Sequence, residues 1–148
     1  MKIGIDPGLT GAIAVLSNEG KFISVHDMPI MKLGKSKKNQ VDPVALSELI
    51  MGIAPTSAIL EKVGAMPGQG VASMFNFGMG YGVIQGVLAA LWVDYELSTP
   101  QKWKKACGLI GKEKDAARLL AIELFPDASL ARKKDGGRAD ALLIAKFG

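Results

Sequence analysis

Three acidic side chains lie far apart in the chain, and each falls where a rigid element meets small neighbours: Asp6 in KIGIDPGLT, Glu61 in SAILEKV and Asp140 in GRADALLIA. Clustered carboxylates repel unless a cation lies among them, and hard oxygen donors select Mg²⁺ or Mn²⁺. Two such ions per site beside a basic rim are the equipment of phosphodiester hydrolysis, one activating water and the other stabilising the leaving oxygen. The candidate phosphate-tracking residues are Lys32, Lys35, Lys37, Lys38, Lys102, Lys104, Lys105, Lys112, Lys114, Arg132, Lys133, Lys134 and Arg138. That attraction needs charge more than fixed geometry, although most exposed lysines only keep a protein soluble. No nucleophilic triad competes, because the one histidine, His26, has no evident serine or cysteine partner.

These acids need particular elements to carry them. Ile3 and Ile5 alternate with Lys2 and Gly4, the period of a strand with one buried face, and Pro7-Gly8 then turns the chain just after Asp6. Residues 11–17 and 21–27 follow as strands around the Asn18-Glu19-Gly20 turn, giving an antiparallel meander. Asp42-Pro43 opens a helix that Gly52 and Pro55 stop. Ser57–Glu61 is then a strand reached through a crossover helix, hence parallel to one already in the sheet, with Glu61 emerging at the same edge as Asp6.

Residues 71–92 have helical spacing despite Gly78, Gly80, Gly82 and Gly86, and Phe75, Phe77 and Tyr81 there read as core or subunit interface. A strand over 93–97 leads to the helix start Ser98-Thr99-Pro100, a short helix over 101–106 with Trp103 turned inward, and a longer helix over 112–125. The last helix carries Asp140 in its first turns. Residues 29–39 break the pattern and read as a solvated, mobile basic loop, and 65–70 as a glycine-rich loop. The expected fold is α/β: a five-stranded mixed sheet, three strands antiparallel and two parallel, flanked by helices.

At 148 residues, with 49% hydrophobic and 22% charged side chains, the chain suits a single domain over residues 1–148. The lone Cys107 rules out an internal disulfide and a cysteine-built zinc site, in keeping with a reducing compartment. A net charge of +4 allows a polyanionic partner. Met1-Lys2 runs straight into a strand, so no signal peptide is expected, and no apolar run is long enough to span a bilayer.

GIDPGLTGAIA, then ILEKV, then a glycine-studded helix, then STPQKWKK and GLIGKEKDAA, then GRADALLIA, in this order along nearly the whole chain, resemble the RuvC-like Holliday junction resolvases. The compact versions carried by bacteriophages are the closest in pattern. The resemblance implies a ribonuclease H-like fold, a homodimer, and symmetric Mg²⁺-dependent nicking of four-way and related branched DNA. It also implies a cytoplasmic setting in a bacterial or phage-infected cell, with no small organic cofactor. By motif, Asp6, Glu61 and Asp140 carry over as catalytic metal ligands.

The family places a fourth ligand, an acid or histidine, a few residues before the last aspartate. Gly136 and Gly137 stand there in this chain, and Asp135 is the nearest acid, able to complete the set if the helix starts late. The family also often sets an aromatic residue soon after the glutamate, where this chain has Gly64, Ala65 and Met66. Two other readings stay open: a catalytically weak or inactive branched-DNA-binding protein, and an RNA-processing nuclease of similar fold. A nucleotide-binding domain of the sugar kinase and actin type shares the strand-Asp-Gly turn, but it needs two such domains and this chain is too short.

Overall fold

The structure, a computed structural model, describes residues 1–35 and 38–148, so the Lys37 candidate lies outside the described residues. Strands β1 (Lys2–Asp6), β2 (Ala12–Leu16) and β3 (Phe22–Asp27) form the expected antiparallel meander. The chain then forms a small hairpin of β4 (Ile30–Lys32) and β5 (Asn39–Val41), crosses through helix α1 (Pro43–Ile53), and returns as β6 (Ser57–Glu61), parallel to β1. Helix α2 (Val71–Ala90) leads to β7 (Tyr95–Ser98), parallel to β6. Helices α3 (Pro100–Ala106), α4 (Ala116–Leu124) and α5 (Gly136–Phe147) complete the chain. The main sheet has the order β3-β2-β1-β6-β7, three antiparallel strands joined to two parallel ones.

Strand alternation sorts two cores onto the two faces. Ile3, Ile5, Ile13 and Val15 point to one side, where Leu46 and Ile50 of α1 and Ile84 and Leu88 of α2 cover them. Ala12, Ala14 and Leu16 point to the other, beneath Trp103, Ala121, Leu142 and Ile144. The small residues on that second face let α5 lie almost against the sheet. A Cβ on Gly4 would run into the backbone of Ala141 and Ala145, so glycine at that strand position sets the height at which α5 sits.

The helix starts behave as the chemistry of their caps requires. Asp42 accepts from the backbone N–H groups of Val44 and Ala45, both at 3.0 Å, and Thr99 accepts from Lys102 N at 3.1 Å with Pro100 next to it. Two expectations need correction. Residues 29–39 are not all loop: Ile30 pairs with Val41 and Met31 with Gln40, a ladder secured by burial of Val41 and Met28. The helix expected over 112–125 begins only at Ala116. Gly111 at φ 73° and a turn closed by Ala116 N to Glu113 O precede it, and the Asp115 carboxylate takes Arg118 instead of a backbone cap.

Candidate active site

Asp6 and Glu61 are the last residues of neighbouring parallel strands. Ile5 stands beside Leu60 in the register, so one residue later both acids leave the sheet at the same edge. Asp140 reaches that edge from the first turns of α5. The N-terminus of α5 is seated by a second close approach: a Cβ on Gly137 would strike the carbonyl of Thr10 and crowd Gly11, in the turn that follows Asp6. Two glycines, at positions 4 and 137, thus bring the third acid to the other two.

The carboxylates share one field. Burial, then the charges of Asp140 and Glu61, push Asp6 up to about 7. Burial and Glu61 push Asp140 up to about 6. Glu61 is raised by burial, against the pull of its hydrogen bond from Trp103 and of the Lys104 charge. The three are coupled, yet among the described residues no three acid, histidine or cysteine side chains are drawn into a closed ligand set. The donor set is all oxygen, which suits Mg²⁺ or Mn²⁺.

Two neighbours act on the acids, Trp103 through a hydrogen bond and Lys104 through its charge. Trp103, fully buried, donates its indole N–H to Glu61 Oε1 at 2.9 Å. A buried indole N–H needs an acceptor, and here it fixes which way the carboxylate points. The Lys104 charge acts on all three acids, and the Lys104 ammonium lies 5.2 Å from the Trp103 ring centroid. Partners of this kind commonly contribute about 10–100-fold to metal affinity or activity. Trp103→Phe, which keeps the ring and removes the N–H, is expected to weaken Mn²⁺ binding by about tenfold or more with little change in melting temperature. Unchanged Mn²⁺ affinity would remove this role from Trp103.

A cleft of ≈ 610 Å³ opens beside Asp6 and Asp140, lined also by Lys114, Lys133, Lys134 and Gly136. The Lys114 charge lowers Asp140 from across it. Lys102, Lys105 and Lys112 are exposed nearby in the chain, and Lys32, Lys35 and Lys38 are exposed around the β4–β5 hairpin.

Three sequence expectations change here. Asp135 does not join the other acids. It is 3% exposed, and its carboxylate accepts from Arg132 Nη2 at 2.6 Å, from Arg132 Nε at 3.0 Å and from the Arg132 backbone N–H at 2.9 Å. The helix does start late, but the single 3-10 turn over Lys133–Asp135 aims Asp135 back at Arg132. Arg132 is correspondingly committed to that pair. Arg138 is held by Asp27 at 2.6 and 2.8 Å and donates to the Ser129 carbonyl. Both arginines brace the approach to α5 instead of presenting a free fork. The indole tie of Trp103 and the Arg118 fork, which joins Asp115 at 2.8 Å to the Leu130 carbonyl at 3.0 Å, were not foreseen. The one signal for the first was a lone tryptophan inside a lysine-rich helix.

A mixed sheet in this order, with acids at the ends of two central parallel strands and a third on the covering helix, defines a ribonuclease H-like α/β protein. No family model matches the chain. It is 30% identical over 151 aligned residues to Holliday junction resolvase MOC1, chloroplastic, of Chlamydomonas reinhardtii; the alignment takes in 84% of this chain and 17% of that much longer protein. In structure it is similar to RuvC of Thermus thermophilus in complex with a Holliday junction substrate, with a TM-score of 0.69 at 17% identity over 97% of this chain and 89% of that one. It is also similar to the Fowlpox virus resolvase in complex with substrate Holliday junction DNA, with a TM-score of 0.55 at 13% identity over 99% of this chain and 96% of that one. The chain is thus similar in sequence to a Holliday junction resolvase and shares its fold with RuvC.

Proposed function

We propose that this chain is a divalent-metal-dependent endonuclease that resolves four-way DNA junctions by paired nicking. The carrying observation is the convergence of Asp6, Glu61 and Asp140 from β1, β6 and α5, with Asp6 raised to about 7 by burial and by the other two. The relatives support the reading: the similar chloroplast protein is a Holliday junction resolvase, and the similar RuvC and Fowlpox virus resolvase structures are complexes with Holliday junction DNA.

Asp6, Glu61 and Asp140 would hold Mg²⁺ or Mn²⁺, two ions to a site, which when bound supply an activated water and charge neutralisation at the scissile phosphate. The chain's own residues do the rest. Trp103 orients Glu61, Lys104 and Lys114 temper the acidic field, and Lys133 and Lys134 line the cleft toward an approaching phosphate. Three carboxylates alone would hold the metal, since Asp135 is engaged with Arg132. That makes a junction-binding protein with weak cleavage the alternative to separate.

Symmetric nicking needs two sites, and a homodimer supplies them. The exposed Val71 and Phe75 on the first half of α2, 88% and 68% exposed, offer an apolar face for a second copy. Light scattering should return twice the chain mass; a monomer at every concentration would remove the dimer. The setting proposed is the cytoplasm of a bacterial or phage-infected cell; no helix among the described residues is long and apolar enough to cross a membrane.

The test incubates the purified chain with synthetic four-way DNA, linear duplex and a structured RNA, with Mg²⁺, with Mn²⁺ and with chelator. Paired nicks in the junction alone, lost with chelator, are expected. Tight junction binding without nicks would favour the weak-cleavage reading, and cutting of RNA in preference to the junction would favour an RNA nuclease.

A further inference from the structure

Ser98 closes β7 at the acid edge of the sheet. It is the register partner of Glu61, and the two strand ends are tied where the Lys62 N–H donates to the Ser98 carbonyl at 2.7 Å. Alternation sets the direction of both side chains. Ala58 and Leu60 pack on the face covered by α1 and α2, and Ile59 on the face covered by α5. Glu61 therefore leaves toward the α5 side, where Trp103 meets it. Tyr95 stands beside Ala58 and packs on the α1 and α2 face with it. Ser98, three residues on, then shares the side of Glu61.

The serine is 1% exposed, and among the described residues its hydroxyl meets no hydrogen-bond partner. A hydroxyl taken out of water without an acceptor is destabilising, and a buried polar group left unpaired points to a task outside folding. Helix capping is not that task, because Thr99 supplies the oxygen for the start of α3. Neighbouring strands lie about 4.7–4.9 Å apart, which sets a hydroxyl on one beside a carboxylate on the other. Trp103 occupies Glu61 Oε1. A carboxylate has about four acceptor sites, so sites remain for a second donor and for a cation.

We infer that Ser98 is a second positioning residue for Glu61. Its hydroxyl donates to the carboxylate when Glu61 serves as a metal ligand, so that the indole N–H and the hydroxyl together fix the oxygen turned toward the cation. The inference rests on the metal-dependent reading above and deepens it. One donor leaves a carboxylate free to swing about that bond, whereas two donors, from α3 and from β7, stop the swing.

The experiment compares the wild type with Ser98→Ala and Ser98→Cys; cysteine keeps the shape and exchanges the hydroxyl for a weak donor. Mn²⁺ affinity is measured by calorimetry, the melting temperature on the metal-free proteins, and nicking of a four-way junction against Mn²⁺ concentration. Both variants are expected to bind Mn²⁺ about tenfold or more weakly. Their metal-free melting temperatures should equal or exceed that of the wild type, since an unpaired hydroxyl has gone. Half-maximal nicking should need about tenfold more Mn²⁺, with the rate recovered at saturation. Mn²⁺ affinity within about twofold of the wild type in both variants would overturn the inference. So would a lower melting temperature in both, the mark of a bond that serves the fold. Weak binding by Ser98→Ala with full affinity in Ser98→Cys would reduce the residue to packing and overturn it as well. A wild type that binds Mn²⁺ yet nicks no junction would instead sink the nuclease reading, and affinity and melting temperature would still decide the role of Ser98.

Discussion

Asp6→Asn is expected to stop nicking, to leave junction binding in place, and to raise the melting temperature of the metal-free protein at pH 8. The sign follows from the raised acids. In the unfolded chain Asp6 titrates near 3.8, in the folded protein near 7, so between those values the folded state holds the extra proton. Stability is then fullest below about pH 4 and falls as the pH rises to 7, where the carboxylate must charge in the folded state beside Asp140 and Glu61. Each pH unit of that interval is worth about 1.4 kcal/mol, which bounds the gain on neutralising Asp6 at roughly 4 kcal/mol, less whatever desolvating the amide costs. At this chain length that is a rise of several degrees. The gain should shrink toward pH 4, and Mn²⁺ should close it at pH 8 by stabilising the wild type alone. Equal melting temperatures at pH 8 for the two metal-free proteins would mean the acids do not share a field.

Gly137→Ala is expected to destabilise the fold sharply and Gly136→Ala hardly at all, although the residues are adjacent on one helix. A Cβ at 137 meets the Thr10 carbonyl and Gly11, backbone that can yield only by moving α5 off the turn behind Asp6; a Cβ at 136 meets nothing within 4 Å. Overpacking costs about 1–3 kcal/mol against movable side chains, and a clash with backbone belongs at or beyond the top of that range. Position 136 also lines the cleft with Asp6 and Asp140. Gly136→His should therefore fold and add a ligand, seen as tighter Mn²⁺ binding and faster nicking. Similar melting temperatures for the two alanine variants would contradict the seating of α5 described above.

The contrast shows where reading the chain alone succeeds and where it stops. Strand ends were legible because period-2 alternation in KIGID and the burial of SAILE mark them locally, and the crossover rule then placed Asp6 beside Glu61 without further information. Asp140 was legible as a helix residue, but its approach to the other two depends on Gly4 and Gly137, whose role is a distance between elements that no local pattern encodes. Asp135 looked like a ligand by proximity in sequence, and the arginine three residues before it took its carboxylate instead. Arg132 and Arg138 counted as free cations by composition; their engagement with Asp135 and Asp27 is a tertiary matter, one pair bridging 111 positions. The basic hairpin over 30–41 escaped because three-residue strands carry too little periodicity to register.

The central claim is that Asp6, Glu61 and Asp140 gather a divalent cation. It is tested most directly by anomalous scattering from a crystal of the wild-type chain soaked in Mn²⁺. The account predicts a peak within about 2–2.5 Å of carboxylate oxygens from at least two of these residues, absent from the Asp6→Asn crystal. Manganese bound only elsewhere, or the same peak in both crystals, would contradict it.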